Sequence, residues 1–280
     1  MGALDGRVAV VAGASRGIGR GCALELAAAG ASVYALGRTL HEGDGSLPGS
    51  LTTTAREARE LGGTVLPVVC DLRSDAEVAA AFERVGDERG RLDVLVNSAF
   101  DLPDGCGNGV PFWETPISYW DDMIGIGARS AYAATWHAAR RMLPRGAGLV
   151  VNISSQGARE YFVHATYGIS KSALDRITRD AGRDLAPRGI AVVSLWPCFV
   201  RTERILAFDP AEWGVDLEGA ESPRFAGRAV VALASDPDVV KRAGRIFTTR
   251  QIAEAYGFRD VDGSLPKGAP DPETYYPPNP

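Results

Sequence analysis

Residues 7–12, Arg-Val-Ala-Val-Val-Ala, form a short valine-rich run without polar alternation, which predicts a strand buried on both faces of a sheet. A glycine-rich turn follows, and Cys22, Leu24, Leu26 and Ala27 through Ala29 then recur at helical spacing until Gly30. The alternation continues with a strand at 31–36, a helix at 52–61, a strand at 64–70, a helix from about 74 to 89 and a strand at 92–96. Beyond a Gly- and Pro-rich loop at 100–116, helices are predicted over about 117–142 and 165–185, with strands at 148–154 and 190–195. Strands alternating with helices predict an α/β fold with a parallel, doubly wound sheet of about seven strands, helices on both faces and ligands at the strand C-terminal ends. Residues 1–265 read as a single domain, with an irregular stretch at 203–224 placed where a substrate lid belongs. The Pro-rich segment 266–280 reads as an extended tail.

The turn after the first strand is Gly13-Ala14-Ser15-Arg16-Gly17-Ile18-Gly19. Between a strand and a helix, such a turn offers free N–H groups and a helix dipole to a pyrophosphate. Gly13 permits the tight turn, Gly17 lets backbone approach phosphate, and Gly19 lets the helix lie on the sheet. The unit is that of a Rossmann fold, with the spacing Gly-x-x-x-Gly-x-Gly in place of the commoner Gly-x-Gly-x-x-Gly. An acidic residue at the end of the second strand would hold the ribose 2′-hydroxyl of NAD. The chain has Tyr34-Ala35-Leu36-Gly37-Arg38 there, and Arg16 lies within the glycine turn. Two guanidiniums and no carboxylate suit the 2′-phosphate of NADP(H), which is expected to be preferred over NAD(H).

A second constellation lies further on. Tyr167 and Lys171 stand four residues apart and so share one face of a helix, with Ser154 and Ser155 thirteen and twelve positions upstream of the tyrosine. A nearby cation favours the phenolate and lowers a tyrosine pKa from its usual value near 10, giving a proton donor suited to carbonyl reduction. The basic residues are almost all arginine, Lys171, Lys241 and Lys267 being the only lysines, so a lysine at this place runs against the composition.

Composition narrows the classes. With 280 residues, 45% of them hydrophobic, the chain can bury a full core. A net charge of −5 without a basic stripe argues against nucleic acid. Cys22, Cys70, Cys106 and Cys198 are scattered, and His41, His137 and His164 are far apart, so neither disulfides nor a metal site are expected. Asp5 and Arg7 interrupt any leader, no apolar run is long enough to span a membrane, and a cytoplasmic protein is expected.

Taken together, these residues resemble the short-chain dehydrogenase/reductase family across roughly 5–250, through Gly13-x-x-x-Gly17-Ile18-Gly19, Asp71-Leu72, Asn97-Ser98-Ala99, Ser154/Ser155, Tyr167-x-x-x-Lys171 and Pro197…Thr202. The resemblance implies hydride transfer between a nicotinamide cofactor and a small-molecule carbonyl or alcohol. It gives Gly13, Ser15, Arg16, Gly17, Ile18, Gly19 and Arg38 to the phosphates, and Asp71, Leu72, Asn97 and Ala99 to the adenosine side. Pro197, Val200 and Thr202 would flank the nicotinamide. Tyr167 would be the general acid in reduction and Lys171 would bind the nicotinamide ribose and lower the phenol pKa. One serine would hold the substrate oxygen. The family interval counted back from Tyr167 lands on Ser154, whereas the strand pattern favours Ser155, which is the assignment adopted.

Three departures accompany the resemblance: Gly127 stands where the family has an asparagine that holds a relay water, Phe100 follows Asn97-Ser98-Ala99 in place of glycine, and Cys198 replaces the glycine after Pro197. Gly127 favours a rival reading, a nucleotide-binding scaffold or redox-sensing module with little turnover. An epimerase or dehydratase is a weaker third. Trp113, Tyr161, Phe162, Phe199, Phe208 and Trp213 point to an apolar substrate. Family members pair through the helices corresponding to 117–142 and 165–185, so a homodimer or homotetramer is expected. Ala131, Ala133, Ala134, Ala138 and Ala139 would allow close helix contact.

Overall fold

In the computed structural model, which describes residues 2–103, 106, 110–207 and 217–274, the first valine run is the strand β1 (Val8–Ala12), buried at every position. Its side chains alternate between two cores. Ala9 and Val11 face one, and Val8, Val10 and Ala12 face the other. Apolar burial on both faces is why the run shows no polar alternation.

The chain continues through α1 (Gly17–Ala28), β2 (Ser32–Gly37), α2 (Leu51–Glu60), β3 (Thr64–Val69), α3 (Asp75–Arg89) and β4 (Val94–Asn97). Next come α4 (Ser118–Trp120), a π-helical stretch Asp121–Arg129, α5 (Ser130–Met142), β5 (Gly148–Ile153), α6 (Ala165–Leu185) and β6 (Ile190–Trp196). The described residues end with α7 (Glu203–Leu206), α8 (Pro223–Ser235), β7 (Ile246–Thr248) and α9 (Thr249–Tyr256). The seven strands form one sheet in the order β3-β2-β1-β4-β5-β6-β7, with every pairing parallel. Strand order reverses between β1 and β4, which opens a crevice at their carboxyl ends.

Local signals agree with these elements. Ser74 caps α3 by accepting from Glu77 N, and Gly90 ends it at φ 64, the left-handed cap that favours glycine. Other expectations need correction. The helices expected over 117–142 are α4, the π-helical turns at 121–129, which the pattern did not mark, and α5. Helices α8 and α9 were not foreseen. Helix α8 lies so close to α1 that a Cβ on Gly21 would come within 2.0 Å of Pro223 O, and one on Gly227 within 2.5 Å of Gly21 O. Of the five alanines expected to face a partner, Ala131, Ala134 and Ala138 are buried in their own core, while Tyr132 and Trp136 are exposed on α5.

Within the stretch expected to form a lid, residues 208–216, with Phe208 and Trp213, lie outside the described residues. On either side of them, α7 follows Thr202, and Glu221 pairs with Val200 as a parallel bridge before α8. After residue 265 the described chain runs back along the body. Pro266 O accepts from Arg250, Lys267 N donates to Gly219 O, and Glu273 pairs with Arg245. Among the described residues, no helix is long and apolar enough to cross a membrane.

Candidate active site

A cavity of about 430 Å³ opens at the carboxyl ends of β1, β4, β5 and β6, within the range of ligand-binding clefts. Its floor at one end is the glycine turn. Gly13 has φ +85, and a Cβ there would lie 2.6 Å from Ala99 Cα, so the turn and the strand end fit only without a side chain. A Cβ on Gly19 would lie 2.0 Å from Gly13 O, so this glycine lets the helix close against the turn. The N-terminus of α1 therefore faces the cavity, its amides available to an anion.

An anion of the protein already stands there. Glu203, first residue of α7, accepts from Gly17 N at 2.8 Å and pairs with Arg20 at 2.9 Å, while Arg20 also pairs with Glu57. Nearby, Arg16 donates to Thr39 Oγ1 and Gly49 O, but its buried Nε has no hydrogen-bond partner. Arg38 pairs with Asp101 at 3.2 Å. A glycine cradle, a carboxylate on the helix amides and an orphaned guanidinium N–H together fit the phosphates of a dinucleotide.

Most residues expected to hold a nucleotide line this one cavity. Gly13, Ser15, Arg16, Gly17, Ile18 and Gly19 form one wall. Arg38, Asp71, Leu72 and Ala99 lie along the next, Thr202 stands opposite Gly17, and Tyr167, Lys171 and Val200 also line it. The Asp71 carboxylate faces Arg73, whose hydrogen bond holds its pKa below the usual range.

Three of the expected site residues, Asn97, Pro197 and Ser155, are not among those that line the cavity, Ser155 standing behind Tyr167. Asn97 sits in register with Asn152 of β5, and its Nδ2 donates to Asn152 Oδ1 at 2.8 Å and Thr135 Oγ1 at 3.1 Å. Paired strand positions share a face, so its amide is committed to the core. Pro197 is buried beneath the turn whose next residues, Cys198 and Phe199, line the cavity.

At the far end the two serines separate. Ser155 Oγ lies 2.9 Å from Tyr167 Oη. Ser154, one residue earlier and thus on the other side of the strand end, is buried and donates to Lys171 O at 3.2 Å. Gly157 makes room for the tyrosine, since a Cβ there would come 2.5 Å from its ring. Burial pushes the Tyr167 phenol up, opposed by the Ser155 hydrogen bond. The lowering expected from Lys171 does not decide it, because the ammonium lies over the tyrosine ring, 5.7 Å from its centroid. Burial in turn lowers Lys171 to about 8. A protonated phenol and a charged ammonium therefore coexist at pH 7.

Pattern reading missed several cavity residues. Glu203 carried no signal beyond an acid in a first helical turn. Val163 is buried with φ 63, a strained conformation for a β-branched residue, and holds Phe162 against Tyr167 and Phe199 with ring centroids 5.9 Å apart. No sequence pattern marks such strain.

Comparison with known proteins accords with this geometry. Residues 7–211 match the family model described as short chain dehydrogenase. The chain is 42% identical over 273 residues, 93% of its own length and 85% of the relative's, to dehydrogenase/reductase SDR family member 1 of Mus musculus. Among solved structures, a short-chain type dehydrogenase/reductase from Mycobacterium marinum superposes with a TM-score of 0.75 at 25% identity, covering 88% of this chain and 94% of that one. A metagenomic short-chain oxidoreductase in complex with NADP gives 0.68 at 28% identity, covering 84% and 92%. By family model, relatives and fold, the chain belongs to the short-chain dehydrogenase/reductase family, oxidoreductases that use a nicotinamide cofactor on the CH–OH/C=O couple.

Proposed function

We propose that this protein is a cytoplasmic, NADP(H)-preferring carbonyl reductase or alcohol dehydrogenase for an apolar small molecule, with Ser155, Tyr167 and Lys171 as its catalytic residues and residues 1–265 as its catalytic domain. The 2.9 Å contact between Ser155 Oγ and Tyr167 Oη carries the reading. It brings two hydroxyl donors together beside a cation, the arrangement that one reacting oxygen needs. Apolar walls around them, Phe100, Leu102, Ile126, Phe162 and Phe199, support an apolar substrate. Preference for NADP(H) is supported by Arg16 and Arg38 and by the NADP in the metagenomic relative.

When bound, the nicotinamide supplies or accepts the hydride. The protein's residues manage the oxygen. In reduction, Tyr167 gives its proton to the carbonyl oxygen, and Ser155 donates a hydrogen bond to the same atom as negative charge builds on it. Lys171 would hold the nicotinamide ribose, and its ammonium offsets that charge. The apolar walls exclude water, so each of these interactions acts in a low dielectric. Because phenol and ammonium both lose protons as pH rises, reduction declines above about pH 8, where Lys171 discharges.

The scaffold reading rests on Gly127, yet its glycine has a packing reason, since a Cβ there would meet Ser170 Oγ at 2.2 Å. Pairing into a homodimer or homotetramer would use the α5 face that exposes Tyr132 and Trp136. The test is calorimetric titration with NADPH and NADH, followed by a panel of ketones and aldehydes read at the reduced-cofactor absorbance. Tighter binding of NADPH with turnover is expected. Binding of neither nucleotide sinks the proposal.

A further inference from the structure

Lys171 is an ammonium in a dry place. It is 7% exposed, and burial lowers its pKa to about 8. An ammonium carries three N–H donors. Nζ donates to Ile153 O at 3.1 Å, and Asp175, one turn along α6, adds an attractive charge. That carboxyl is itself buried, pushed up to about 6, and accepts from Ser194 at 2.8 Å and Trp196 at 3.1 Å. The hydration such a charge loses is replaced in another way: Nζ lies over the ring of Phe100, 4.5 Å from its centroid. A cation at that distance from an aromatic face is attracted by the ring quadrupole, more so when desolvated.

The ring is held in place from two sides. It meets Tyr167 edge-on, with centroids 5.4 Å apart and planes at 79°. On the other side lies Gly127, where a Cβ would stand 3.0 Å and 3.1 Å from two ring carbons of Phe100 and 2.2 Å from Ser170 Oγ. Ser170 is fixed in turn by donating to Met123 O at 2.9 Å. A side chain at 127 would take the room the ring occupies. The two departures at 100 and 127 are thus one packing unit.

We infer that Phe100 is a positioning residue of the reaction, whose ring face keeps the Lys171 ammonium charged and aimed into the cavity, and that Gly127 is small in order to admit that ring. This rests on the reading of Lys171 as a residue of the reaction. The titratable groups of its own helix that face it are Tyr167 and Asp175. Arg16, Arg38, Cys70, Asp71, Asp101, Cys198, Glu203 and Arg204 line the same cavity from other elements.

The test uses the scarcity of lysine. With only three lysines in the chain, protein labelled at lysine side chains gives three titrating signals, of which Lys171 is the buried one. Phe100→Leu and Phe100→Met remove the π face while keeping apolar bulk, and Phe100→Tyr retains it. In the leucine and methionine variants the Lys171 midpoint is expected to fall by about 0.4–1.5 pH units. Its ring-current shift shrinks to what the Tyr167 ring supplies, and the alkaline limb of NADPH-dependent reduction moves down by the same amount. The tyrosine variant keeps the wild-type Lys171 midpoint. An unchanged midpoint overturns the inference, as does a lowered midpoint with an unmoved alkaline limb. The lysine titration needs no turnover, so a wild-type protein that reduces nothing would sink the functional proposal while the ring–ammonium contact is still judged by its own readout.

Discussion

The two ends of the cavity handle charge in opposite ways. At the glycine turn, charge is dealt with by exchange: α1 presents its amides, Glu203 occupies that of Gly17, and Arg20 balances the carboxylate. These partners are partly exposed, with side chains of Glu203 and Arg20 at 18% and 25%. At the Tyr167 end charge is dealt with by confinement, since Lys171 is buried and Asp175 fully so. Interactions at the first end are softened by water and salt, whereas those at the second are strong and unforgiving of removal. Residues that bind are thus replaceable in degree, and residues that react are not.

The sharpest way to break this contrast is Tyr167→Phe. Loss of the phenol hydroxyl that contacts Ser155 should lower kcat by on the order of 10²–10⁴, with cofactor affinity unchanged by calorimetry. Full activity in the variant would assign the proton to another group. A smaller effect is expected at the open end. Replacing Arg16 and Arg38 together by alanine should weaken NADPH by about 10–100-fold and leave NADH nearly unaffected, the size of one or two lost charge-assisted hydrogen bonds. Equal losses for both nucleotides would mean that the arginines shape the turn rather than read the 2′-phosphate.

Smallest and opposite in sign is Glu203→Gln. On the proposed reading the carboxylate holding Gly17 N would have to leave before a pyrophosphate could take its place, lowering apparent affinity by the fraction of molecules that are open. Neutralising it should tighten NADPH binding a few-fold, about 2–10-fold, and steepen its salt dependence as Arg20 is released. Weaker binding would show that Glu203 supports the bound state instead.

Much of the glycine-turn end of the cavity was legible along the chain. Gly13 and Gly17 take positive φ in the turn and Gly19 closes on Gly13, so their spacing survives as a pattern, although Ala99 also leaves Gly13 no room for a side chain. Tyr167 and Lys171 share a helix, and an i,i+4 pair is visible without knowing what the helix lies against. Asn97 reads as part of the same motif, yet its register with Asn152 turns it to the core. The choice between Ser154 and Ser155 depended on which side of the strand end faces Tyr167, and neither interval nor composition states that.

The amino-acid sequence by itself determined the alternation of buried strands and helices, the nucleotide-type turn and the tyrosine–lysine helix, because each depends on contacts within a few residues or on apolar runs. Only the tertiary structure decided that Glu203 meets Gly17 across 186 positions, that Gly21 and Gly227 let α8 lie against α1, and that Phe100, Gly127 and Lys171 interlock. Those relations are made by through-space proximity between distant segments, and burial and electrostatics become specific only once the segments are packed.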